Sequence, residues 1–489
     1  MQHTKQSGTG IGRLNRFSYS ALIGVAIGLA GGLVALLLTV GGPIVAFGAL
    51  FGILAGLYVL SNVTAALYGV VLVTVLLPFG TLPFKIAITP TFLDMALGAF
   101  LLVYVMQWMT GRRQGFRLTP VHALVVLYTM WLLLTFALGL RFAMPTSAII
   151  RQFAETLLSI AMVFILGDLI RDPQTLRRLV IIVMFGVAVQ AAVAVVLYIL
   201  PDQTAAEILA RLARIGYPTG NVIRFIEDNP NGVERAIGTW VDPNALGGFL
   251  AISAAMIAPQ IFAHKPILHY RWLTIGILGV IMLALVLTFS RASMLAIAIS
   301  LFIIGLFPGY RKYLVMLGLA LLLVLTLPQT RSYIQHFTEA FTGSDRSTQM
   351  RLGEYSDSLD LISRNPIVGV GFTGTPSIDL YTNVASMYLI MANQIGLVGV
   401  GVYAIMILGV LYYGWRARQI VDDNSTLASI HLGYHAALVA ALINATADLY
   451  FFRLDFQASI FSFWMIIALA LTSSRLALEA HESTVAKPI

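Results

Sequence analysis

There is no cysteine in this chain of 489 residues, which excludes disulfides, thiol catalysis and thiolate metal sites together. Charge is scarce as well. Only 11% of the residues are Asp, Glu, Lys or Arg, against about 25% in soluble domains. Also missing are phosphate-cradling and dinucleotide-binding glycine motifs, and any His/Asp/Glu spacing that reads as a metal site, so neither a cofactor nor a metal is expected. What fills the chain instead is apolar: 58% of residues are hydrophobic and the mean hydropathy is +0.87. A water-soluble protein of this composition would expose far too much apolar surface, so lipid must be the solvent for most of its length. The net charge of +8 is spread over short loops. It reads as an orientation signal, with membrane lipid as a partner and no nucleic acid.

Apolar runs of about 20 residues, the length that crosses a bilayer, recur along the chain. The first, at 21–40, has no convincing leader-cleavage site. Together they predict about 12–14 spans. Backbone groups in hydrocarbon must pair within their own segment, so the expected fold is all-α, a polytopic transmembrane helix bundle.

Orientation follows from basic residues in short loops. Lys5, Arg13 and Arg16, then Arg112, Arg113 and Arg117, Arg171, Arg177 and Arg178, Lys265 and Arg271, Arg311 and Lys312, and Arg416 and Arg418 all fall on one side if both termini are cytoplasmic. The expected layout is a cytoplasmic tail at 1–18, a membrane domain at 19–474 and a second cytoplasmic tail at 475–489. Two polar connections, about 201–242 and about 328–384, then lie outside a cytoplasmic (inner) membrane, and the second is too long for a passive turn. Within it, Leu352, Leu359 and Ile362 recur at helical spacing after the caps Asp345 and Ser347, and Pro366 stops the run. That helix is expected to lay this face on the membrane domain.

The apolar pair at 273–308 is interrupted only by Thr288-Phe289-Ser290-Arg291-Ala292-Ser293. An arginine between two tightly linked helices is costly unless it meets water, an anion or a carboxylate. Snorkelling to the interface would satisfy Arg291. So would an anion, because guanidinium is planar, bidentate and permanently charged. Just before the span at 243–262, Asp242-Pro243-Asn244 is a plain helix start with a polar cap and a first-turn proline. Arg235 has no such capping role. Gly247 and Gly248 read as sites of close helix packing.

The order Arg235-x-x-Gly238-Thr239-x-x-Asp242-Pro243-Asn244, then Thr288-Phe289-Ser290-Arg291, Arg351, Asn365-Pro366-Ile367-Val368-Gly369-Val370-Gly371-Phe372, and Tyr388-Leu389 with Gly396-Leu397-Val398-Gly399, resembles the O-antigen ligase and Wzy-type polymerase family. The resemblance covers about 235–410, with fainter echoes at Asp94 and Arg151. It implies a GT-C-like, metal-independent glycosyltransferase with long, partly helical extracytoplasmic loops. Its donor would be an undecaprenyl-pyrophosphate-linked glycan, and its acceptor a glycan or lipid-glycan: lipid A-core for a ligase, another lipid-linked repeat unit for a polymerase. Arg235 and Arg291 are implied to hold the pyrophosphate, with Arg351 as a third basic position. Negative charge grows on that leaving group as the glycosidic bond breaks, and fixed cations stabilise it.

One departure bears on the acceptor. Family ligases carry a His-Asn pair just before the position of Tyr388-Leu389, the histidine being a proposed base, and here those positions are Ala385 and Ser386. This tilts the reading toward a polymerase. A base must still come within about 3 Å of the acceptor hydroxyl, directly or through one water. Asp379, Glu354, Asp242 and His336 are the nearby substitutes. Asp448, Arg453 and Asp455 lie on the same side and either line the cavity or pair with each other, whereas His431 and His435 fall at the cytoplasmic end of their span. The competing class is a transporter of an anion or small solute, whose polar groups would gather near the midplane.

Overall fold

The computed structural model describes residues 56, 58, 61–82, 89–113, 115–218, 220, 222–226, 229, 232–326, 346–374 and 384–485. The N-terminal tail, the first span, Asp379 and His336 lie outside them. The chain forms two compact units, Met1–Leu67 with Ala99–Met106, and Tyr68–Gly98 with Gln107–Ile489. Within the first, Phe100 and Tyr104 stack with ring centroids 6.4 Å apart. The second carries all of the site residues discussed below.

Helices make up nearly all of the regular structure. They are α1 (Val63–Leu76), α2 (Phe92–Met109), α3 (Val121–Gly139), α4 (Ser147–Leu169), α5 (Pro173–Ile199), α6 (Asp202–Arg211), α7 (Pro243–Ile257), α8 (Arg271–Leu287), α9 (Arg291–Gly305), α10 (Lys312–Thr326), α11 (Arg346–Arg364), α12 (Met387–Arg418), α13 (Thr426–Asn444) and α14 (Gln457–Val485). Among the described residues, eight segments are long and apolar enough to cross a membrane: α2 to α5, α7 with its continuation to Phe262, α12, α13 and α14. α1, α8 and α9 are shorter apolar helices. The protein is an all-α polytopic bundle. α5 and α7 start where the chain offers a cap and a first-turn proline. Asp172 accepts from Thr175 N ahead of Pro173, and Asp242 accepts from Asn244 N and Ala245 N around Pro243.

The core lies where α14 packs on α4 and α13, and where α7 packs on α13 and α9. α7 approaches closely because Gly247 and Gly248 present no side chain. A Cβ at Gly247 would sit 2.8 Å from Ser290 Cβ, and one at Gly248 2.8 Å from Asn444 Oδ1. Those two contacts bring the ends of α7, α9 and α13 together, and the candidate site lies there.

The connection 201–242 is built rather than loose. α6 buries Ala205 and Leu209 against Leu197, Val222 and Ile237. Two-residue strands β1 (Arg224–Phe225) and β2 (Glu234–Arg235) then pair antiparallel, with Arg224 opposite Arg235. A 3-10 turn over Gly238–Trp240 follows. Trp240 is fully buried, stacks on Phe249 at 4.4 Å and donates through its indole to Val75 O at 3.1 Å. Arg235 is thus held from both sides.

α11 spans the helix read from the sequence, but its buried face differs. Ser358, Leu361 and Ile362 are buried, whereas Leu352 and Leu359 are 57% and 59% exposed. The contact with α12 decides this, through Ser358 Oγ donating to Asn393 Oδ1 at 3.1 Å. The turn after α11 docks onto a break in α12. Val370 N donates to Asn393 O at 2.8 Å, Gly371 N to Gln394 O at 2.9 Å, and Leu397 N to Pro366 O at 2.8 Å. Gly396 makes the break with a φ of +69°, and any Cβ there would strike the Ile367 carbonyl. α13 begins at Thr426, so His431 and His435 lie in its first three turns, and it ends at Asn444. Asp448 therefore lies in the connection that follows it. α14 continues past 474 to Val485.

Candidate functional site

Two irregular turns face each other at one end of the larger unit. Val241 and Phe289 both have positive φ, 61° and 51°, which a β-branched or aromatic residue adopts only under strain of about 1–3 kcal/mol. Each adjoins a motif read from the sequence. Ala236 N donates to Leu287 O at 2.8 Å, Arg235 Nε donates to Thr288 O at 2.8 Å, and Arg235 Nη2 donates to Asn244 Oδ1 at 2.5 Å. The turn that opens α9 therefore carries Arg235 on its carbonyl and Arg291 at the first helical position. Burial disfavours the charged form of Arg235, and the nearby Arg351 guanidinium acts in the same direction. Asp242, Tyr450 and Asp448 oppose both effects.

The carboxylates differ in their engagement. Asp242 Oδ1 caps α7, accepting from Asn244 N at 2.8 Å and Ala245 N at 2.9 Å, and the carboxyl is also hydrogen-bonded to the Tyr450 side chain. Asp448 is only 4% exposed, and its Oδ2 accepts from Asn444 Nδ2 at 3.1 Å. The same amide group donates to Ser293 Oγ at 2.9 Å, and Ser293 pairs with Ser290 at 2.8 Å. Burial pushes the Asp448 carboxyl up to about 7; Asp242 adds to this, while Arg351, the Asn444 hydrogen bond and Arg235 pull it back. Glu354 Oε2 accepts from Ala385 N at 3.1 Å, and Tyr355 OH donates to Ala385 O at 3.3 Å. Burial raises the Glu354 carboxyl as well, against the Ala385 amide and Arg351.

The structure thus brings Arg235, Arg351, Asp242 and Asp448 into one electrostatic cluster, with Glu354 beside Arg351. Among the described residues no hydrogen bond or ion pair engages the Arg351 guanidinium. Arg291 is half-buried and rises from the turn that receives Arg235. Arg453 and Asp455 pair with each other at 2.7 Å. Asn444 and Tyr450 were not singled out from the sequence, since an amide inside an apolar helix and a tyrosine in an aromatic run carry no local sign of a site. Asp94 and Arg151 also meet, at 2.9 Å, with Glu155 joining them at 3.3 Å.

A bundle of membrane-length helices, with one cluster of cations and carboxylates where α7, α9 and α13 end together, defines a polytopic membrane protein with a built polar site there. Residues 273–404 match the family model described as O-antigen ligase. Over that stretch the chain is similar to O-antigen ligases, and its apolar helices make it a multi-pass membrane protein. No curated protein matches it. The matched segment holds Arg291, Arg351 and Glu354; Arg235, Asp242 and Asp448 come to the same cluster from outside it.

Proposed function

We propose that this protein transfers glycan from an undecaprenyl-pyrophosphate-linked donor to a glycan or lipid-glycan acceptor at the extracytoplasmic face of the inner membrane, with both termini cytoplasmic. The observation that carries the reading is the Arg235–Arg351 pair. The two guanidiniums are close enough for one to disfavour the charge on the other. Both guanidiniums also act on the Asp448 carboxyl, and a ligand with neighbouring negative charges, such as pyrophosphate, would engage the two together. Arginine has five N–H donors. Arg235 gives two to Thr288 O and Asn244 Oδ1, which orient the fork and leave the others for an anion. Arg291 would add a third cation as charge develops on the leaving group. Asp242, Glu354 and Asp379 remain acceptor-side carboxylates in this reading. No metal or cofactor is invoked.

A polymerase is favoured over a lipid A-core ligase, because Ala385 and Ser386 bring no imidazole and the Ala385 amide is engaged by Glu354. The test is purified protein in liposomes given lipid-linked repeat units, with and without lipid A-core. A ladder of products supports a polymerase, and a single transfer that requires lipid A-core supports a ligase. Movement of a labelled solute with no consumption of lipid-linked glycan would overturn both.

A further inference from the structure

Transfer to a hydroxyl needs a group that takes its proton, and the described carboxylates are not equally able to do so. Asp242 is committed to capping α7 and to Tyr450. Glu354 holds the Ala385 amide and feels Arg351 alone among the arginines. Asp448 is less committed than Asp242 and, unlike Glu354, feels two arginines. One hydrogen bond, from Asn444, fixes its Oδ2, and both Arg351 and Arg235 act on its carboxyl. Its backbone is fixed too, since Asp448 O accepts from Met387 N at 2.9 Å. The bonded chain Asp448–Asn444–Ser293–Ser290 runs to the turn whose Thr288 carbonyl receives Arg235. Proton acceptor and anion-binding cation are therefore held by one network.

Resting on the glycosyltransferase reading above, we propose that Asp448 is the base that deprotonates the acceptor hydroxyl. The hydroxyl oxygen forms its bond to the anomeric carbon as the bond from that carbon to the pyrophosphate oxygen breaks. The electron pair of the broken bond leaves on the pyrophosphate, between the arginines. The hydroxyl proton passes to Asp448 and is then released to water. The groups facing the carboxyl are Arg351 and Tyr355 from α11, Arg235 and Asp242 from the connection before α7, and Tyr450 from its own loop. Burial, the largest influence, brings the carboxyl to about 7, where a base at neutral pH is both ionised in part and able to hold a proton.

The test compares purified wild type with Asp448→Asn and Asp448→Glu. Turnover of lipid-linked repeat units is followed against pH, and binding of undecaprenyl pyrophosphate is measured separately. Asp448→Asn is isosteric and retains an acceptor for Asn444. It should lower kcat by about 100-fold or more and remove the acid limb of the rate profile, with undecaprenyl pyrophosphate binding and donor KM little changed. Asp448→Glu should recover part of the rate with a displaced acid limb. An unchanged rate or acid limb in Asp448→Asn would overturn the assignment. So would loss of undecaprenyl pyrophosphate binding in step with the rate, which marks a purely structural role. A wild type that binds undecaprenyl pyrophosphate yet never consumes lipid-linked glycan would instead sink the functional reading, and this assignment with it.

Discussion

Arg235 shows how much a single side chain can be asked to do. Its Nε and Nη2 bond two acceptors in different directions, Thr288 O and Asn244 Oδ1. A lysine keeps the charge but not the fork. Arg235→Lys should therefore lose at least about 10-fold in donor turnover, the scale of one lost charge-assisted bond, and Arg235→Ala should abolish it. Both should remain folded by size-exclusion profile. Equal activity of Arg235→Lys and wild type would refute a role for the fork.

Asp448 makes a separate prediction about stability. Its native carboxyl, near 7, stands above the ordinary 3.8, so between those values the folded state holds a proton that the unfolded state has lost. Its contribution is fully present below about pH 4 and is lost as pH rises through about 7. Asp448→Asn, neutral throughout, should melt higher than wild type at pH 8 and alike at pH 4. Glu354 shifts in the same direction and stays in the variant, so the pH dependence should shrink without vanishing. Thermal unfolding in detergent across that range measures it. Asp242 could be picked out in the sequence from its helix-start pattern, and Arg235 and Arg351 from the motifs that resemble a known family. Asp448 could not be ranked above its neighbours, because what distinguishes it is burial and the through-space charge of two arginines far away along the chain.

Among the elements, α11 and α12 show where sequence patterning stops being informative. Helical spacing and Pro366 marked α11 correctly, but Leu352 and Leu359 form a stripe that ends up exposed. A seven-residue repeat of leucines is compatible with a helix whichever face is buried. The choice was made by Ser358 meeting Asn393 and by the glycine turn locked into the break in α12. That lock gives a test. Gly396→Ala must adopt a φ of +69° and push its Cβ into the Ile367 carbonyl. It should cost about 2 kcal/mol or more and lower activity by displacing α11 with Arg351. Gly401→Ala, in the same helix with nothing within 4 Å of the added Cβ, should be neutral or slightly stabilising. Thermal shifts of the two variants decide it, and equal shifts would remove the argument for the lock.

Across the whole molecule, the ionic groups of the site collect at one end of the helices, as a surface-acting enzyme needs and a midplane transporter does not. Which side of the membrane that end faces is open to a direct test, because the absence of cysteine makes single-cysteine labelling clean. Ser363, exposed near the end of α11, and Asn424, exposed between α12 and α13, are suitable positions. In intact cells with a permeable outer barrier, Ser363→Cys should react with a membrane-impermeant maleimide. Asn424→Cys should react only after the inner membrane is opened. The reverse pattern would invert the topology and place the arginines on the cytoplasmic side.

The sequence by itself determined that this is an all-α membrane bundle. Lipid offers no partner to a free backbone group, so apolar runs of spanning length have no other stable form. It also determined which arginines stand beside helix ends, since those positions are local. Only the tertiary structure decided which carboxylate they meet, which face of α11 is buried, and that the chain before α7 and the loop after α13 complete a cluster with the segment at 273–404. The reason is that burial and Coulomb interaction depend on distance through space, and residues such as Arg235, Arg351 and Asp448 become neighbours only when the helices between them have packed.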